Sequence, residues 1–197
     1  MRAQLVYAAA MGMAGALYGA NSGSTCRDGF EVGAAGIREL ALDVEPGAVR
    51  ILGTKDQRVR VSCEIKGNED PSRTKIRWSA GVNSARVTIG GGSWDGHKYR
   101  IEVPERSDLI VRVTAGDVSV RGVEGSKDVE MTAGDLKIEL GRPDDYEHVE
   151  MSVRAGDLRA KAFRVRKGGL FRSFSRHYSR GKYKLHASLG AGNVTLE

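Results

Sequence analysis

One turn is written four times in this chain: Thr114-Ala115-Gly116-Asp117-Val118, Thr132-Ala133-Gly134-Asp135-Leu136, Arg154-Ala155-Gly156-Asp157-Leu158 and Gly190-Ala191-Gly192-Asn193-Val194. Its glycines are spaced by 18, 22 and 36 residues, a period near 18 with one insertion at Gly141-Arg142-Pro143-Asp144-Asp145. A repeat this short cannot bury an apolar face alone, so its copies have to stack.

Alternating residues flank each turn, as in Leu109-Ile110-Val111-Arg112-Val113 before the first and Leu136-Lys137-Ile138-Glu139-Leu140 after the second. A period of two means strands with one buried face. Gly116, Gly134, Gly156 and Gly192 supply positive φ at a corner, alanine fits inside the bend, and Asp117, Asp135, Asp157 and Asn193 can bond their own backbone. A degenerate copy runs from Leu40 to Ile51, with Ala48 in place of the acid. With 26 glycines, 4 prolines and few aromatics, the chain favours many short strands over helices.

The expected fold class is all-β: a single-stranded β-solenoid or β-helix with coils of about 18 residues and Gly-Asp corners. A β-sandwich of hairpins is the alternative. The part from 68 to 106 is less regular, with strands expected at Lys75–Ser79, Ala85–Ile89 and Tyr99–Val103 around Gly90-Gly91-Gly92.

Residues 1–20 start with one arginine and continue through small and apolar residues without further charge, which reads as a secretory signal peptide whose end lies between 20 and 25. A single domain is expected over 27–197. Two cysteines remain after export, Cys26 and Cys63, and an even number in an exported chain favours a disulfide. Lipid attachment at Cys26 is the rival reading; Ser24-Thr25-Cys26 matches a lipobox poorly. The compartments that follow are the periplasm, the outer envelope or the extracellular space.

Together with Gly169-Leu170-Phe171-Arg172-Ser173-Phe174-Ser175 and Gly181-Lys182-Tyr183-Lys184-Leu185-His186-Ala187, the turns resemble the "putative adhesin" family of bacterial envelope proteins, DUF4097, from about residue 37 to the end. The resemblance implies a parallel β-helix of Gly-Asp repeats behind a signal peptide. It brings no catalytic residue and no ligand.

From Leu158 to Leu196 there is no acid, while ten lysines and arginines occur among 159–184; the net charge of +6 is therefore local. Arg164, Arg166, Lys167, Arg172, Arg176, Arg180 and Lys182 are the candidate contacts for a polyanion: an anionic envelope polymer or a membrane surface. In the competing reading Phe171 and Phe174 cap the end of the coil stack and the arginines solvate that cap. Nucleic acid is disfavoured by export.

Other chemistry finds little support in the residue pattern. The corner acids lack the nine-residue period of calcium-binding β-rolls, and Asx turns explain them. His97, His148, His177 and His186 show no spacing that puts two on one face beside an acid. Ser93 lacks the closing glycine of a nucleophile elbow, and Gly90-Gly91-Gly92 lacks the Lys-Ser/Thr of a phosphate loop.

The sequence thus points to a non-catalytic exported protein, without cofactor or metal, that presents a β surface for adhesion or scaffolding toward a polymer or a protein partner. A self-assembling element whose end coils stack is the alternative. A polysaccharide-active enzyme comes last, because the aligned acids fall at corners rather than on a sheet face.

Overall fold

Alternating burial runs the length of the chain. The computed structural model describes residues 21–91 and 96–197; the signal peptide expected over 1–20, with Ser93 and Trp94, lies outside the described residues. In chain order the strands are β1 Ser22–Thr25, β2 Phe30–Gly33, β3 Glu39–Val44, β4 Ala48–Thr54, β5 Arg58–Ile65, β6 Lys75–Ala80 and β7 Ser84–Gly90. They continue with β8 His97–Pro104, β9 Asp108–Arg121, β10 Lys127–Ile138, β11 Tyr146–Ala160, β12 Val165–His177 and β13 Tyr183–Leu196. The protein is all-β. Its only helical pieces among the described residues are single 3₁₀ turns at Pro71–Arg73, Pro143–Asp145 and Lys161–Phe163, the second filling the insertion read from the repeat spacing.

All strands join one sheet. The four long strands β9, β10, β11 and β13 each pass through an Ala-Gly-Asp/Asn corner without losing pairing. At that corner burial changes phase: Leu109, Val111 and Val113 are buried before it, Val118 and Val120 after it. A straight strand would have carried burial on to residues 115 and 117. The bend keeps both arms facing one core, and at roughly 1.5–3 kcal/mol for each buried valine or leucine this stack is the main source of stability.

Before the corner β9 lies parallel to β3, and after it parallel to β4, so the degenerate copy holds the same two-armed place. The expected strands at 75–79, 85–89 and 99–103 correspond to β6, β7 and β8. That region is irregular because the chain turns back on itself: β5 and β6 run antiparallel to β8 and β7, and β1 and β2 antiparallel to β6 and β5.

The four turns do not stack in chain order. The C-terminal β13 lies between β10 and β11, parallel to both, while β12 folds back antiparallel on β11 and becomes the last strand of the sheet. All copies share one pattern, so β13 matches either neighbour in register. Leu185, Ala187, Leu189, Val194 and Leu196 are buried between them.

Cys26 and Cys63 form a disulfide with Cα atoms 5.3 Å apart, tying the β1–β2 link to β5 across 37 residues. A closed loop of that length stabilises by about 3–4 kcal/mol through the unfolded chain.

Lys127 is the one buried lysine among the described residues. Its Nζ donates to the Gly125 carbonyl at 3.0 Å and to the Tyr146 hydroxyl, and lies 5.0 Å from the Tyr146 ring centre. Burial pushes its pKa from 10.5 down to about 8, against the opposing pull of Asp108 and Glu124. Between those values the unfolded chain still holds a proton that the folded chain has released, so stability rises with pH through the window. The rise is at most about 3 kcal/mol. Denaturant midpoints measured from pH 8 to 10.5 are expected to increase, and Lys127→Met is expected to flatten the slope; equal slopes in both proteins would show that the ammonium is solvated.

Candidate functional site: the basic end of the sheet

The corner glycines form a column, Gly47, Gly116, Gly134, Gly192 and Gly156, all at positive φ between 121° and 157°. A Cβ on each of the last four would overlap the carbonyl oxygen of the preceding glycine. The glycines are therefore required twice, by conformation and by close approach of the backbones.

Beside them run Asp117, Asp135, Asn193 and Asp157, in that order across the sheet. The Asx-turn expectation is corrected at Asp135. Its Oδ1 accepts from Asn193 N at 3.2 Å and Asn193 Nδ2 at 2.8 Å, a bond between strands rather than within a turn. Asn193 puts a neutral amide between two carboxylates, and Asp157 pairs with Arg159 at 2.8 Å. Within this column the Asp135–Asn193 pair ties the β10 corner to the β13 corner.

Strand stacking also assembles a polar cluster that spacing does not reveal. Arg112 Nη2 is 2.8 Å from Asp128 and its Nε 3.3 Å from Glu130, while His186 Nδ1 is 3.0 Å from Asp128 Oδ1. Burial raises the Asp128 pKa, but the hydrogen bonds from Arg112 and His186 outweigh it and hold the carboxyl below its usual value. Asp128, Glu130 and His186 bring three ligand-type atoms within 4.8 Å of one another. The Arg112 guanidinium already supplies the positive charge there, so the group serves as an ion-pair network. His186 lies 58 residues from Asp128, and only the placement of β13 against β10 joins them.

The expectation that no two histidines share a face beside an acid is corrected at one place. His148 and His177 face each other across β11 and β12, ring centres 6.1 Å apart, with Glu150 3.6 Å from His148 Nε2. His97 is buried, between the Tyr99 hydroxyl at 3.1 Å and Glu69 at 2.9 Å.

The seven candidate contact residues gather at one end of the sheet. Arg164 closes the 3₁₀ turn before β12 in the left-handed region, φ 56°. Arg166, Lys167, Arg172 and Arg176 lie on β12, and Arg180 and Lys182 in the link to β13. Lys182 N donates to the Asp145 carbonyl at 2.9 Å, and its Nζ is 4.7 Å from the Tyr183 ring centre.

Register explains the exposure of β12. Arg176, Phe174 and Arg172 stand opposite Val149, Met151 and Val153, and Lys167 opposite Leu158. At the core-facing positions of the terminal strand the chain has thus put mostly cations, one of the known protections for a sheet edge. Two reach across the corner: Lys167 Nζ donates to the Ser173 carbonyl at 2.7 Å and Arg172 Nε to the Gly168 carbonyl at 2.8 Å.

The cap drawn from the sequence holds for only one of its two phenylalanines. Phe174 packs on Phe163 with ring centres 5.1 Å apart, and Phe163 also meets Tyr178 at 6.3 Å. Phe171 points outward, 80% exposed, next to Leu170 at 65%. Phe163 was the missing partner. Its signal in the sequence was an aromatic just before the hairpin strand.

A search of protein-family models and of curated proteins gives no match. Among solved structures, the crystal structure of a "putative cell adhesion protein" from Clostridium sporogenes superposes with a TM-score of 0.54. The alignment covers 91% of this chain and 100% of that one, at 12% identity. The likeness shows a shared fold. No helix among the described residues is long and apolar enough to cross a membrane.

Proposed function

We propose that the chain is an exported, non-catalytic envelope protein whose coils form a β-solenoid and whose basic end contacts polyanions. The observation that carries this reading is charge segregation: ten lysines and arginines fall within 159–184, where there is no acid, and four of them lie on the terminal strand. Interleaved charges would have protected the edge equally well. A one-signed surface attracts an extended anion at long range and holds it by Coulomb forces that salt weakens.

An adhesion or scaffolding role fits the shared architecture with the Clostridium sporogenes protein. The disulfide fits an oxidising compartment beyond the cytoplasmic membrane, and it engages the sulfur that a lipid anchor at Cys26 would need. Like charge along β12 opposes pairing of that edge with a second copy of itself, which favours a foreign polyanion over homotypic end stacking.

Retention of the mature chain on immobilised heparin tests the reading. Wild type is expected to elute at elevated salt, and Arg166→Ser/Arg176→Ser/Arg180→Ser at clearly lower salt with an unchanged melting temperature. Equal elution of the two proteins would contradict it.

A further inference from the structure

The corner of β12 differs from every other corner in the sheet. Opposite Ala155-Gly156-Asp157 of β11 it has Leu170, Gly169 and Gly168, with Phe171 next to Leu170, Gly169 at φ 108° and Phe171 at φ 52°. A bulky aromatic in the left-handed region is a conformational outlier that costs free energy. The Phe171 ring recovers none of that cost by burial, since it is 80% exposed, and Leu170 beside it is 65% exposed. They are two of the three large apolar side chains that stand exposed among the described residues; Val82 is elsewhere, between β6 and β7.

Around this tip the charge is positive. Phe171 lines an open depression of about 420 Å³ with Lys167, Gly168, Arg172 and Ser173. Arg166 is exposed one residue from Lys167, and Arg176 further along the strand. Asp157 on β11 lies beside Gly168 and is paired with Arg159. An apolar tip inside a cationic collar matches a surface that is anionic outside and hydrocarbon beneath. A free polysaccharide or nucleic acid would satisfy the cations and stack on Phe171 but leave Leu170 in water.

From this pairing of strained, exposed apolar residues with surrounding cations we infer that the β12 corner docks on an anionic lipid bilayer. Leu170 and Phe171 enter the acyl boundary, and Arg166, Lys167, Arg172 and Arg176 meet the lipid phosphates. The inference rests on the polyanion reading above and names the partner. Electrostatic attraction brings the end of the sheet to the bilayer, and burial of two apolar side chains strengthens the contact.

The experiment compares wild type with Leu170→Ser/Phe171→Asn, since asparagine tolerates the left-handed conformation. Both are sedimented with phosphatidylcholine–phosphatidylglycerol vesicles and with pure phosphatidylcholine vesicles, and both are run on heparin. Wild type is expected to bind the anionic vesicles only, and the variant to bind them roughly tenfold less tightly. The variant should keep its heparin elution and its melting temperature, or melt higher as strain is relieved. Anionic-vesicle binding unaffected by the double substitution would overturn the lipid inference while leaving the polyanion reading standing. Absence of retention on every anionic support would overturn both.

Discussion

Replacing Gly134 with valine is expected to cost on the order of 4 kcal/mol, enough to unfold much of the protein at moderate temperature. Gly134 sits at φ 121°, where L residues are strained, and any Cβ there would overlap the Gly116 carbonyl. The neighbouring strand cannot withdraw, because Gly116 in turn lies against Gly47. The comparison that isolates the close approach is Gly141→Ala. That glycine also has positive φ, 71°, but no atom stands within 4 Å of where a Cβ would lie. Its substitution should cost only about 1 kcal/mol. Chemical denaturation of both variants reads the difference, and an unchanged midpoint for Gly134→Val would mean that the corner backbones do not touch.

A chain ending at Lys182 is expected to lose its native state altogether. Such a truncation removes β13, whose Leu185, Leu189, Val194 and Leu196 are fully buried along with Ala187. At about 1.5–3 kcal/mol for each large side chain the loss approaches 10 kcal/mol, comparable with the whole stability of an ordinary domain. It also strips hydrogen-bond partners from β10 and β11 and ends the contacts of Glu197 with Lys137 and Lys161. Far-ultraviolet circular dichroism during heating gives the answer. A cooperative transition near the wild-type midpoint would show β10 and β11 pairing directly once β13 is gone, and would make β13 an accessory strand.

The corners were legible because the requirement for glycine is local: positive φ and close approach leave no other residue, so the motif shows itself at every copy. Strand placement in the less regular part was legible for the same kind of reason, since alternation marks β6, β7 and β8 wherever they pair. Direction and order were not. Nothing in Arg58–Ile65 distinguishes an antiparallel strand from a parallel one, and the shared repeat gives β13 an equal match to any neighbour. Everything that depends on order was hidden with it, including the Arg112–Asp128–His186 network.

The basic end was half legible. Its charge and aromatics stand out in the sequence, but the sequence does not separate Phe171 from Phe174, and both are expected in the cap. The unusual corner, where Leu170 stands opposite Ala155 and Phe171 beyond it takes a left-handed conformation, turns these two side chains outward. Phe163, placed by a 3₁₀ turn ahead of β12, takes the packing role instead.

β13 lies between β10 and β11, and β12 is the last strand of the sheet. In that arrangement Ser188 lies beside Glu130 on one side and Ser152 on the other. Glu130 and Ser152 are then two strand spacings apart, roughly 9–10 Å, beyond the reach of a disulfide. The decisive measurement is mild oxidation of Glu130→Cys/Ser188→Cys and of Glu130→Cys/Ser152→Cys, with the crosslinked peptides read by mass spectrometry. The account predicts a bond in the first protein and none in the second. A bond in the second and none in the first would mean that the repeats stack in chain order and that β12 is not the end of the sheet.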